Sequence, residues 1–153
     1  MVSQMKKLIS CILILVIICV SCVSCSSKEE AVRNLENPIT VLDNEVITID
    51  IISYDTDTGY FTFNITNNTN KIIEFDTSTV VVDKKYSADT MFFTYDLASG
   101  TSITESAQFY DAEGYWDLMA GHNFEVTIDV DDDDYNDIGK YTFNINAKDF
   151  GVE

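Results

Sequence analysis

Near the end of the chain, four apolar side chains alternate strictly with three polar ones. Phe124, Val126, Ile128 and Val130 are separated by Glu125, Thr127 and Asp129. Successive residues of a strand point to opposite faces, whereas a helix repeats every 3.6 residues. A period of two therefore predicts a strand with one buried face and one wet face. The same pattern recurs upstream. Phe61, Phe63 and Ile65 oppose Thr62, Asn64 and Thr66, and Ile47, Ile49 and Ile51 share a face. Tyr141, Phe143 and Ile145 give a last strand. Helical spacing is scarce throughout.

Turn residues punctuate these runs. Asp55-Thr56-Asp57-Thr58-Gly59 reads as a hairpin connection, and Asn67-Asn68-Thr69-Asn70 as the next turn. Residues 71–76 and 79–82 read as two strands, closed by a turn at Asp83-Lys84-Lys85. Residues 91–95 form a short apolar run that ends at Ala98-Ser99-Gly100, and 101–110 read as a strand anchored by Ile103. Residues 111–119 are the least regular, with room for one helical turn. The tally is seven to nine strands with no internal repeat. The predicted fold is all-β: an immunoglobulin-like two-sheet sandwich, with a small closed barrel as the alternative.

The first 25 residues obey a different logic. Lys6 and Lys7 precede a nearly unbroken aliphatic run over 8–20. Even counted to Val23 the run has 16 residues, short of the roughly 20 that span a bilayer. A positive end, an apolar stretch and then small residues spell an export signal. All four cysteines, Cys11, Cys19, Cys22 and Cys25, lie within it. Whatever follows has no internal disulfide, thiolate metal site or cysteine nucleophile. Val23-Ser24-Cys25 and Val20-Ser21-Cys22 each set small residues before a cysteine, which resembles the lipobox of bacterial lipoproteins. That resemblance implies a thiol carrying diacylglycerol, at Cys25 or alternatively Cys22. The position three before the cysteine, Leu in most lipoboxes, is Cys22 or Cys19 here. The expected organisation is a lipoprotein signal helix over 1–25, a polar tether over 26–38 and a sandwich domain over 39–153. Pro38, the only proline, marks the domain start.

Charge narrows the list of partners. The chain carries 26 acidic and 9 basic residues, a net charge of −17. Nucleic acid is bound mainly through cations on phosphate, so nucleic-acid binding is excluded. Divalent cations and basic partners are attracted, and the same acidity keeps an exported domain soluble.

Four segments together carry a family resemblance: Val41-Leu42-Asp43-Asn44-Glu45-Val46, Asn64-Ile65-Thr66-Asn67-Asn68-Thr69-Asn70-Lys71, Val82-Asp83, and Asp96-Leu97-Ala98-Ser99-Gly100. Their order resembles the immunoglobulin-like domain of small, uncharacterised Firmicutes lipoproteins of the DUF4352-like kind. The resemblance covers most of 39–150. It implies a β-sandwich anchored at the extracytoplasmic face of a cell membrane, and it implies no reaction.

Candidate sites are few. Asp129, Asp131 and Asp133 match the first three acid positions of a calcium loop, but the sixth position is Asp134 and the twelfth Lys140, where Gly and Glu belong. The competing reading is a solvated acidic loop between two strands. Calcium is therefore the one cofactor considered. Asp55, Asp57 and Gly59 repeat the theme more briefly and read as a plain turn. Tyr115 and Trp116 adjoin in the irregular segment, where aromatic rings stack on sugars, anchor a protein partner or plug the core. His122 is the only histidine, so no multi-histidine zinc site exists. No nucleophile elbow is present. These observations point to a membrane-anchored, non-catalytic binding module whose protein or glycan partner is unspecified. The alternative is a carbohydrate-binding or calcium-dependent adhesion domain.

Overall fold

The computed structural model describes residues 32–152. The export segment, both candidate lipidation sites (Cys22 and Cys25) and the first part of the expected tether lie outside the described residues.

Nine strands follow one another: β1 (Val32–Asp43), β2 (Ile47–Asp55), β3 (Phe61–Asn67), β4 (Ile73–Val82), β5 (Tyr86–Ala88), β6 (Phe93–Leu97), β7 (Ser102–Ala107), β8 (Phe124–Asp132) and β9 (Asp137–Ile145). Two short 3₁₀ turns, Leu118–Ala120 and Ala147–Phe150, complete the described elements. One sheet has the order β1-β2-β3-β7, and the other β5-β4-β8-β9 with β6 also paired to β4. All pairings are antiparallel. The chain leaves the first sheet between β3 and β4, returns to it between β6 and β7, and leaves it again between β7 and β8. Both departing strands are neighbours in one sheet, and both arriving strands are neighbours in the other. This is the interlocked crossing of an immunoglobulin-like sandwich.

The alternating residues face each other across the sandwich. Ile47, Ile49, Ile51, Phe61, Phe63 and Ile65 project from one sheet, and Phe75, Val126, Ile128, Val130 and Phe143 from the other, all essentially buried. Phe61 is the hub. Its ring centroid lies 4.7 Å from Tyr54, 5.5 Å from Phe109, and 5.9 Å from both Phe63 and Phe124. The strict alternation of β2 fails after Ile51, where an extra residue opposes β3 and turns both Ser53 and Tyr54 inward. Tyr54 is fully buried, yet its hydroxyl donates to Asp117 Oδ1 at 2.7 Å and accepts from the Leu118 amide at 3.1 Å. Burial and the bond to Asp117 push its pKa well above the ordinary tyrosine range, so the phenol keeps its proton.

Three expectations are corrected. The two strands expected over 71–76 and 79–82 are one strand, β4 (Ile73–Val82), whose register slips between Thr77 and Thr79. The polar run Thr77-Ser78-Thr79 marks a bulge in the middle of a strand, not a gap between two. Second, β1 starts at Val32, inside the segment read as tether. It runs along an outer edge of its sheet, and its register breaks between Asn34 and Ile39, the stretch that holds Pro38. Proline lacks an amide to donate, and an edge bulge tolerates that. Third, Asp83-Lys84 is the tip of a tight hairpin that launches β5, a strand the sequence did not reveal. Both residues are left-handed, with φ of 52° and 58°, and with Lys85 they form the three-residue connection between paired Val82 and Tyr86.

The Asn-rich turn has a physical reason. Asn67 is fully buried. Its Nδ2 donates to the Lys71 and Leu97 carbonyls, each at 2.8 Å, and its Oδ1 accepts from the Thr69 amide at 2.8 Å. One amide thus satisfies a turn that strands on either side leave open.

Candidate functional site

The acidic string does not form a loop as a whole. Asp129 and Asp131 lie within β8, on its outer face, and only 133–136 form the turn. Asp129 pairs with Lys140 across the ladder at 3.0 Å. Asp131 stands opposite Glu74 on one side and Asp137 on the other. Asp133 is exposed on the turn. The three predicted calcium ligands are therefore spread over a flat face and a turn. No group of three or more acidic, histidine or cysteine side chains converges as a metal set among the described residues. Asp132, the one member of the string that points inward, is only 3% exposed. Its Oδ2 accepts from Lys71 Nζ at 2.7 Å. Its Oδ1 accepts from the Asp134 and Asn136 amides at 3.1 and 3.0 Å and from Asn136 Nδ2 at 2.8 Å. These bonds, led by Lys71, hold its pKa far below the usual carboxylate range.

Tyr115 and Trp116 do not share a platform. The Tyr115 ring rests on Gly59, and its hydroxyl donates to the Asp57 carbonyl at 3.1 Å. Gly59 has φ +72°, and a Cβ there would overlap that ring. Gly59→Ala is expected to cost about 1–3 kcal/mol from strain and overlap together. Urea unfolding checks this, and an unchanged midpoint would show that neither the left-handed strain nor the overlap costs stability. The Trp116 ring is half-buried against the core. It stacks on exposed Tyr86 with centroids 5.3 Å apart and meets the His122 ring edge-on at 5.0 Å.

Trp116 leads to a feature that neither residue announced. His122 Nδ1 lies 2.7 Å from Asp83 Oδ2, and Asp83 Oδ1 accepts from the Asn123 amide at 2.9 Å. The Asn123 amide and the His122 ring together hold Asp83 below the ordinary carboxylate range, so it is ionised at neutral pH. Asp83 and Asn123 form one wall of an open hollow of about 380 Å³, within the ~300–1,000 Å³ typical of small-molecule sites. Its floor is the end of the second sheet, where the register sets Val81, Glu125 and Asn144 abreast. Lys84 forms the rim from the β4–β5 hairpin. Asn146 and Lys148 close the far side beyond β9. Asn123 Oδ1 accepts from the Ala147 amide at 3.0 Å and so ties the two walls together.

No family model and no curated protein matches the chain. The site is therefore read from its own chemistry. Five lysines lie among the residues whose side chains are described. Lys71 pairs with Asp132, Lys140 pairs with Asp129, and Lys85 lies over the Tyr86 ring at 4.5 Å. The remaining two, Lys84 and Lys148, both line the hollow, and neither has an acidic partner among the described residues. The Asn144 amide and Glu125 carboxylate also make no side-chain hydrogen bond there. The hollow thus gathers uncommitted donors and acceptors beside an aromatic stack. Its residues come from three strand ends and the turns beside them, spread between Val81 and Lys148, so no local motif marks them.

Proposed function

We propose that the chain is a lipid-anchored, extracytoplasmic binding module that takes a polar ligand in the hollow beside Asp83 and performs no reaction on it. The observation that carries this is the gathering of uncommitted lysine, amide and carboxylate groups in one concavity at the end of the second sheet. The Lys6-Lys7 start, the aliphatic run and the cysteines at its end support export and acylation at Cys25. The turn motifs that resemble anchored Firmicutes domains agree with that placement.

Two measurements test the two halves. In a bacterial host fed an alkyne fatty acid, the chain is expected to take up label and to fractionate with membranes. Cys25→Ser is expected to lose label and shift the protein to the medium. Label retained by Cys25→Ser but lost in Cys22→Ser moves the anchor to Cys22, and no label in either background removes the anchor altogether. For the binding half, glycans and peptides released from bacterial envelopes are added to the isotope-labelled chain. Shifts are expected at Lys84, Asn123 and Asn144. Shifts confined to other surfaces would sink the assignment of the hollow.

A further inference from the structure

We infer that the hollow accepts an acidic sugar residue, a ring bearing several hydroxyls and a single carboxylate. This rests on the hollow being the binding site. Three features of its lining select the ligand class. First, the molecule carries a net charge of −17, so an approaching anion is opposed over most of its surface. Lys84 and Lys148, which have no acidic partner among the described residues, make the hollow a place where that opposition is locally offset. Second, Asp83 and Glu125 also line it. Carboxylates accept hydrogen bonds from hydroxyls and repel a second negative charge, so a monoanion rich in hydroxyls is favoured over a phosphate dianion. Third, the Asn144 side chain and Asn146 Oδ1 are uncommitted, and an amide offers a donor and an acceptor side by side. Vicinal hydroxyls of a sugar match that pair.

The backbone agrees. Lys84 is held in the left-handed region at φ +58°, where a lysine is strained. Glycine would satisfy the turn better. The turn thus places a charged side chain, at some cost in strain, among the residues that line the concavity. Beyond Asp83 lie His122 and the Trp116–Tyr86 stack, with Tyr86 42% exposed. A second ring of a longer glycan would meet the exposed edge of Tyr86 there, since Trp116 and Lys85 cover its faces.

Trp116 is the only tryptophan, and it adjoins the site through His122. Its fluorescence, with amide shifts of the lining residues, follows binding to the full chain in detergent micelles. Galacturonate is expected to bind saturably with a Kd of about 1 mM, and glucose and glycerol phosphate roughly tenfold or more weakly. Lys84→Gly is expected to weaken galacturonate by about tenfold while leaving the melting temperature equal or higher, because glycine relieves the left-handed strain. Lys148→Gln is expected to weaken it similarly with no change in melting. Glucose or glycerol phosphate binding at the same residues as well as galacturonate overturns the acidic-sugar assignment but leaves the hollow a binding site. Galacturonate affinity unmoved by both lysine substitutions overturns it too. Silence of the lining residues toward all three probes, and toward envelope extracts, sinks this inference together with the reading beneath it.

Discussion

Phe61→Ala is expected to lower the unfolding free energy by about 3–5 kcal/mol, the cost of emptying a fully buried aromatic site. Phe61 has no exposed surface, and its ring touches those of Tyr54, Phe63, Phe109, Phe124 and Phe150. These neighbours come from both sheets and from the last 3₁₀ turn, so no single element can move in to fill the void. The typical net stability of a domain is about 5–15 kcal/mol, so the variant should sit near the threshold of folding. Phe61→Leu keeps most of the volume and should cost under about 2 kcal/mol. Urea denaturation with both variants decides. If alanine costs no more than leucine, the site collapses around the gap and Phe61 is not the hub.

Asp132→Ala is expected to reduce the melting temperature by on the order of 10 °C, because it orphans Lys71 and several turn donors at once. Oδ1 of this residue receives three bonds from Asp134 and Asn136, and Oδ2 receives Lys71. Asp132→Asn removes the charge but keeps one carbonyl acceptor, so its loss should be smaller. The pH dependence has a definite sign. The folded-state pKa of Asp132 is depressed, so its stabilisation is full above the unfolded value of about 3.9 and is lost as pH falls through the folded value. The raised pKa of Lys71 works from the other side. Its contribution is present below the unfolded lysine value and fades as pH rises through the folded one. Melting curves taken as pH falls below about 4 should show wild type losing stability faster than Asp132→Asn. Parallel curves would mean that the ion pair contributes nothing to folding.

Where the chain alternates cleanly, the fold could be read directly. β3, β8 and the body of β2 appear within a residue or so of their expected bounds, because a half-buried strand writes its environment into every second residue. Legibility failed where tertiary pairing overrode local pattern. β1 crosses an apparent tether because Ile39, Val41 and Leu42 find the sandwich edge, which their neighbours do not advertise. β5 hides behind a left-handed Asp-Lys turn, since the usual sign of that geometry is Asn-Gly or Asp-Gly. Among the site residues, the acidic string drew attention by density alone. Register then dispersed Asp129 and Asp131 over a face and turned Asp132 inward. The hollow escaped notice for the opposite reason. Its lining is ordinary in composition and is assembled only when three strand ends meet.

The broken register of β1 bears on how copies of this molecule behave when crowded together. An unpaired outer strand is a template on which a second chain can grow a continuous sheet, the first step toward aggregation. Here the template is interrupted at Pro38 and slips again between Thr40 and Leu42. A neighbour laid alongside would find a missing amide and two mismatches instead of an even row of donors and acceptors. Molecules concentrated in a thin layer can therefore touch side to side and still come apart.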